Sequence, residues 1–264
     1  MKRMILTGLL AVGAVMAQAP APAPAPAPAA APAAAPKGPA PKSQGEIEAL
    51  QALQAAGNDP DKEIAAAENL ITKFADTDFK GIALFVEASA YEQKKDYLKM
   101  QIYAERALEA DPKNFQAMLM LARHFATHTG ANDLDKDEKF AKGEKYANQV
   151  VQTLAGMAKP NPQIPDDQWE AMKKDFSAEA YNDIALGNLT AKKYDLAIAN
   201  FKKALDTNSQ PEPAYMVRLA SAYLQAGKKD EAVQWADKTL AVPEVHPQIK
   251  TLATQIKAEA SAKK

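Results

Sequence analysis

Cysteine is absent from the 264-residue sequence, and tryptophan occurs only twice. The lack of cysteine excludes disulfide bonds, thiolate zinc sites, a cysteine nucleophile and the thioether anchor of a lipoprotein. An excess of positive charge is also missing, because 32 Lys and Arg face 33 Asp and Glu. Nucleic-acid-binding domains usually carry such an excess, so we expect no nucleic-acid partner.

Recognisable catalytic motifs are missing as well. The sequence has no glycine-rich phosphate loop, no Gly-x-Ser-x-Gly nucleophile elbow and no His-Glu-x-x-His metalloprotease motif. Histidine occurs only three times, which leaves few bases for Ser/His/Asp catalysis. We therefore predict a non-enzymatic protein that needs no cofactor and no metal.

The first 17 residues have the order of a secretory signal peptide. Met1–Arg3 is positively charged, Met4–Met16 is apolar, and the small residue Ala17 follows. The apolar run is shorter than the roughly 20 residues that a membrane-spanning helix needs. We predict a signal peptide over 1–17 and a periplasmic or secreted mature protein that is not a lipoprotein. An uncleaved anchor is the alternative.

Residues 18–42 form a segment rich in alanine and proline. Between positions 19 and 42 the sequence has twelve alanines and nine prolines. Proline disfavours helix and sheet but allows polyproline II, and the segment has no large apolar side chain to bury. We predict a disordered linker that holds the following domain away from a membrane or wall. An inert low-complexity tail is the alternative.

From residue 43 onward the chain repeats a helical pattern. Apolar residues recur at i, i+3, i+4 and i+7, and no run of β-branched residues indicates a strand. Four segments align, numbered here as repeats 1 to 4: 81–114, 115–157, 178–212 and 213–246. Their eighth position is always alanine: Ala88, Ala122, Ala185 and Ala220. A small residue there lets two helices pack closely, which predicts stacked helix pairs beside a groove.

Three stretches of these repeats resemble a known family. They are Glu105–Asn114, which ends in Asp-Pro-Lys-Asn, Tyr194–Leu205 and Leu219–Tyr223. All three are similar to the tetratricopeptide repeat (TPR). The resemblance implies an all-α fold, a right-handed superhelix of stacked antiparallel helix pairs (an α-solenoid). Repeat 2 departs from the pattern, because its second helix is displaced by nine residues and has Gly143 where alanine is expected.

The flanking segments fit the same helical domain, which we place at 43–264. Residues 45–78 are typical of a degenerate helix pair, and 247–262 of a capping helix that covers the last apolar surface. Residues 158–177 contain three prolines and predict a loop that becomes a helical lead-in from Asp166 through Trp169.

The resemblance also implies a binding groove, because certain positions of the first helix of each TPR usually line the concave face. In repeats 1 and 2 they correspond to Phe85, Ser89, Glu92, Gln93, Leu119 and Arg123. In repeats 3 and 4 they correspond to Asn182, Asp183, Leu186, Val217, Arg218 and Ser221. The family's carboxylate clamp has Lys and Asn where this sequence has Phe85 and Ser89, which argues against a chaperone tail as ligand. Packing of these side chains against each other is the alternative.

Two local patterns resemble metal sites. His124 and His128 are four residues apart, so both could face one metal, but no third strong ligand follows at local spacing. Asp133–Glu144 has carboxylates at positions one, three, five and twelve of a calcium loop, with Glu138 where the turn requires glycine. Acidic residues at a helix N-terminus explain that stretch equally well.

The sequence therefore predicts a scaffold in the bacterial cell envelope that binds a protein or peptide in its groove. A partner with aliphatic anchors and an acidic group would suit the apolar residues and the two arginines. A periplasmic carrier of calcium or another ligand, using Asp133–Glu144 or the long Trp169 segment, is the alternative.

Overall fold

The computed structural model describes residues 39–262, so the predicted signal peptide and most of the predicted linker lie outside the described residues. Every regular element in this range is an α-helix, which confirms the predicted all-α fold. The helices are α1 (Gln44–Ala55), α2 (Pro60–Lys73), α3 (Lys80–Gln93), α4 (Tyr97–Ala110), α5 (Phe115–His128), α6 (Lys136–Ala155), α7 (Asp166–Thr190), α8 (Tyr194–Thr207), α9 (Pro213–Gln225), α10 (Lys229–Leu240) and α11 (Pro247–Ser261). Within that range no helix has both the length and the apolar character needed to cross a bilayer.

The helices belong to two compact units that divide between Asp111 and Pro112. In the N-terminal unit α1 packs on α2, α2 on α3, and α3 on α4. In the C-terminal unit α5 to α11 do the same, and α5 also contacts α7 while α9 contacts α11. Packing between consecutive helix pairs is the arrangement of an α-solenoid.

The eighth-position alanines of all four repeats are buried. Ala88, Ala185 and Ala220 have no exposed surface, and Ala122 has 1%. Small residues of the second helices are equally buried, among them Ala104, Ala197 and Ala232. The first and second helices of a repeat therefore meet through small side chains, as the aligned sequence predicts.

The turn between the two helices of a repeat uses a left-handed residue. In repeats 1, 3 and 4 the fifteenth position has a positive φ, with Lys95 at 59°, Lys192 at 60° and Gly227 at 75°. The N–H of the next residue donates to a carbonyl five residues back, at 2.8–3.0 Å, which closes the end of the first helix. Glycine suits this conformation best, and two of the repeats place lysine there instead.

Lys95→Gly and Lys192→Gly are each expected to raise the free energy of unfolding by about 0.5–1 kcal/mol. The left-handed conformation costs a residue with a side chain about 1–2 kcal/mol, and the freedom of glycine in the unfolded chain offsets about half of the gain. Urea unfolding followed by circular dichroism measures the change. Lys94→Gly is the matched control, since Lys94 has a φ of −74°. Glycine at that position should lower the free energy of unfolding. The prediction would be contradicted if neither Lys95→Gly nor Lys192→Gly raised the free energy of unfolding.

Repeat 2 lacks this turn. Its first helix ends at His128, and Thr129 continues with an extended backbone at φ −100° and ψ 120°. The second helix, α6, starts only at Lys136 and approaches α5 at Gly143. A Cβ at Gly143 would lie 3.0 Å from Cβ of Phe125, so the missing side chain permits the close approach. The loop before α6 therefore accounts for the displaced second helix.

The long helix α7 joins two predicted segments. Pro165 precedes it, Asp166 and Asp167 occupy its first turn, and it continues without interruption into the first helix of repeat 3. Trp169 is 5% exposed near its start, and its indole N–H donates to the Met157 carbonyl at 3.4 Å. The predicted helical lead-in is therefore part of one helix of 25 residues.

Candidate functional site

The first helices of repeats 2, 3 and 4 bring five polar side chains together in the C-terminal unit. We call them the polar cluster: Arg123, Glu179, Asn182, Asp183 and Arg218. Arg123 Nη1 donates to Glu179 Oε1 at 3.1 Å, and Arg218 Nη1 donates to Asn182 Oδ1 at 2.7 Å. Asn182 Nδ2 in turn donates to Asp183 Oδ1 at 3.1 Å. Helices α5 and α9 are thus both tied to α7 by hydrogen bonds from arginine.

Helical periodicity accounts for the part of the cluster that α7 supplies. Glu179, Asn182, Asp183 and Leu186 are three or four residues apart, so they share one side of the helix. Asn182 and Asp183 are each 3% exposed, whereas the Glu179 side chain is 24% exposed. The cluster therefore has a buried centre on α7 and arginines at its more exposed edges.

Asp183 is the most perturbed acid of the cluster. Burial raises the pKa of its carboxyl well above the usual range, and Glu179 raises it further, while Arg123 and Arg218 oppose the shift. Its second oxygen, Oδ2, has no hydrogen-bond partner among the described residues. Burial also raises the pKa of the neighbouring Tyr215 hydroxyl, as do Glu179 and Asp183. The buried carboxyl thus lies within the electrostatic influence of both arginines and of Glu179.

The predicted groove residues of the C-terminal unit differ in exposure. Leu119, Asn182, Asp183 and Val217 are buried, with 3–6% of their surface exposed. Four others are half-buried and reachable from solvent: Arg123, Leu186, Arg218 and Ser221. A partner bound to the groove would contact the four half-buried side chains. The four buried side chains lie beneath them and support them.

The remaining predicted residues lie on α3 of the N-terminal unit. Phe85, Ser89, Glu92 and Gln93 are all half-buried. Gln93 Nε2 donates to Glu63 Oε2 at 2.8 Å, so its amide is engaged with α2.

Glu179 and Tyr215 are missing from the sequence-based set. Glu179 occupies the second position of repeat 3, a position that usually lines the groove in TPR proteins, so the alignment itself could have included it. Tyr215 has no comparable sequence signal, because its place beside the carboxylates depends on how α9 packs on the rest of the unit.

The two local metal patterns are engaged in other contacts. The rings of His124 and His128 stack with centroids 5.0 Å apart, and burial, His128 and Lys139 lower the pKa of His124 to about 4. Lys139 Nζ lies 3.6 Å from Asp133 and 3.0 Å from Asp135. Across the described residues no three His, Asp or Glu side chains are placed to hold one metal ion.

Comparisons with known proteins agree with the repeat pattern. Residues 83–114 and 188–256 each match a family model of the tetratricopeptide repeat. No curated protein matches the chain. PilW, a widely conserved type IV pilus biogenesis factor, is a similar solved structure with 18% identity and a TM-score of 0.56; the match covers 83% of this chain and 91% of PilW.

Two further solved structures are more distant. A thermophilic TPR protein of Thermus thermophilus is 18% identical over 81% of this chain and 97% of its own, with a TM-score of 0.47. An assembly chaperone of RpL4 is 12% identical over 81% of this chain and 95% of its own, with a TM-score of 0.43. At such identities the likeness concerns the fold alone.

Proposed function

Because the chain is a tetratricopeptide-repeat protein, we propose that it is a non-enzymatic scaffold of the cell envelope that binds a protein or peptide through the first helices of its repeats. The TPR fold itself supports a role in protein–protein interaction. The envelope location rests on the sequence, namely the predicted signal peptide over 1–17 and the Ala/Pro-rich segment that follows it.

The polar cluster is the observation that carries the binding proposal. Arg123 and Arg218 are half-buried, each is oriented by a hydrogen bond, and the half-buried Leu186 lies on the same side of α7 as the cluster. Oriented guanidinium groups bind carboxylates in two-point geometry. Arg123 and Arg218 give the solvent-facing edges of the cluster their positive charge, while the Asp183 carboxyl on α7 is buried. A partner segment with an acidic group and an adjacent aliphatic side chain fits this surface best.

Arg123→Gln combined with Arg218→Gln is expected to weaken partner binding about tenfold for each arginine. A hydrogen bond to a charged group contributes about 1.5–3 kcal/mol, and 1.4 kcal/mol corresponds to a factor of ten. The measurement is co-purification from envelope extract with the mature chain as bait, followed by titration of the captured partner.

The control removes the same two charges elsewhere. Lys145→Gln with Lys174→Gln affects exposed positions on α6 and α7 outside the polar cluster and should leave capture unchanged. Circular dichroism verifies that both double variants are folded. Capture by the arginine variant at the parental level would refute the assignment of this surface.

A further inference from the structure

Helix α4 of the N-terminal unit exposes two large aliphatic side chains to solvent. Leu98 is 72% exposed and Ile102 is 45% exposed. The two residues are four apart on one helix, so their side chains lie next to each other on the same face. The buried residues of the helix, Met100, Ala104 and Ala107, lie on its opposite face. We call the exposed pair the α4 patch.

The corresponding positions of repeats 3 and 4 have no such pair. Leu98 and Ile102 occupy positions 18 and 22 of repeat 1. In repeats 3 and 4 these positions are also exposed, and they hold Asp195, Ala199, Asp230 and Gln234. Packing within a repeat therefore does not require an aliphatic residue at either position. Adjoining exposed apolar residues are typical of interaction surfaces, whereas single scattered ones are not, so the α4 patch is a candidate for contact with another molecule.

Charged residues on the two sides of the α4 patch differ in sign. Lys95 lies in the turn before α4 and is exposed. Glu105 and Glu109 lie seven residues after Leu98 and Ile102, respectively, so helical periodicity places them on the same face of the helix. Glu109 is exposed and Glu105 is half-buried. Along this face the chain therefore has a cation, then two aliphatic side chains, then two acids.

The other two cations of α4 are engaged with aromatic rings. Lys99 Nζ lies 5.0 Å from the centroid of the Tyr91 ring, and Arg106 Cζ lies 4.9 Å from the centroid of the Tyr103 ring. The two rings stack on each other with centroids 5.1 Å apart, which joins α3 and α4. Lys99 and Arg106 therefore lie on the side of α4 that carries the tyrosine stack, and Lys95 is the cation that adjoins the α4 patch.

We propose that the α4 patch is a self-association surface, to which a second copy of this chain binds with its own α4 antiparallel. In that arrangement Leu98 of one protomer contacts Ile102 of the partner subunit, and Lys95 lies opposite Glu105 of the partner subunit. Both pairs are symmetric about the same point of the helix, so one register satisfies them together. Antiparallel helices also place their dipoles in opposite directions. A parallel arrangement would instead place like charges side by side.

The small size of the α4 patch predicts a weak dimer. Interfaces that bury less than about 1,200 Å² in total belong to weak or transient complexes. Two aliphatic side chains from each copy, with an ion pair at each end, fall into that class. We therefore expect self-association between micromolar and millimolar concentration, weakened by salt because the ion pairs are at the solvent-exposed ends.

Sedimentation velocity of the mature chain, from micromolar to millimolar concentration, tests the proposal. The sedimentation coefficient of the parent should rise with concentration toward that of a dimer. Leu98→Asp combined with Ile102→Ala copies the residues of repeat 3 and should sediment as a monomer over the same range. Leu134→Asp is the matched control, because Leu134 is fully exposed on the C-terminal unit. A parent that stays monomeric, or a patch variant that dimerises as the parent does, would overturn the proposal.

Charge exchange tests the antiparallel register. Lys95→Glu places like charges opposite each other at both ends of the interface and should weaken the dimer several-fold at low salt. Adding Glu105→Lys to that variant reverses both ion pairs and should restore the affinity. Lys192→Glu makes the same exchange at the same left-handed turn position of repeat 3 and should have no effect. Failure of the double exchange to restore the dimer would refute the antiparallel register.

The self-association experiments are independent of the groove. Circular dichroism verifies that each variant is folded. None of the substitutions changes a predicted groove residue or a member of the polar cluster, so self-association and partner capture stand or fall separately. If the α4 patch binds a different protein instead of a second copy, the chain stays monomeric in these experiments, and that result counts against the proposal.

Discussion

Replacing Ala220 by leucine is expected to lower the free energy of unfolding of the C-terminal unit by about 1–3 kcal/mol. Ala220 has no exposed surface and belongs to the core cluster that also contains Ala185, Ala197 and Phe201. The added carbon atoms either force a strained rotamer or push α9 away from its neighbours. Trp169 and Trp235 are the two tryptophans of the sequence, and both lie in this unit. Their fluorescence during urea unfolding therefore reports the change.

Ala199→Leu provides the matched control. Ala199 lies on α8 of the same unit but is exposed, so the same added carbon atoms find open space. We expect its effect to stay within about 0.5 kcal/mol, as is usual for surface substitutions. If Ala220→Leu were equally harmless, the eighth position of the repeat would not be the contact between helices that the alignment predicts.

The fold was largely predictable because the repeat places the same kind of residue at the same contact. The alignment placed alanine at the eighth position four times, and each of these alanines is buried. The full length of α7 was harder to predict, because the sequence indicates a helical lead-in only from Asp166 through Trp169, within a segment whose three prolines favour a loop. The helix begins directly after Pro165, and its first turns are held by the burial of Trp169, a contact that no local pattern reveals.

The candidate site was predictable only in part. The groove positions led to both arginines and to Asn182 and Asp183, but they did not indicate which side chains are accessible. Asn182 and Asp183 are both buried, and Asn182 accepts a hydrogen bond from Arg218 of α9, an arrangement that depends on tertiary packing. The position of the displaced α6 was not predictable either, because it follows from the loop between His128 and Lys136.

The alignment of the repeats also predicts that Glu87 is buried. It occupies the seventh position of repeat 1, where the other repeats have Leu121, Ile184 and Leu219. The register therefore predicts a buried site, and Glu87 is 1% exposed. Its Oε2 has no hydrogen-bond partner among the described residues. Repeat 1 therefore has a buried carboxyl at a position where the other three repeats have an aliphatic side chain.

Glu87→Gln is expected to stabilise the N-terminal unit at pH 8 by about 1–2 kcal/mol and to have little effect near pH 4.5. Burial raises the pKa of Glu87 from 4.5 to about 7, Glu68 adds to the shift, and Arg106 opposes it. The folded chain therefore retains a proton that the unfolded chain has lost. Stability associated with Glu87 is fully present below pH 4.5 and is lost as the pH rises through about 7. Glutamine cannot ionise, so the variant keeps that stability at alkaline pH.

Hydrogen–deuterium exchange of peptides from α3 and α4 measures this effect within the N-terminal unit. Parental protection should fall between pH 4.5 and pH 8, after correction for the intrinsic exchange rate, and Glu87→Gln should remove most of the decline. Glu109→Gln makes the same exchange at an exposed position on α4 and should follow the parental profile. A decline of equal size in Glu87→Gln would mean that another group titrates. A variant less stable than the parent at pH 8 would mean that the buried carboxylate has a partner that glutamine cannot replace.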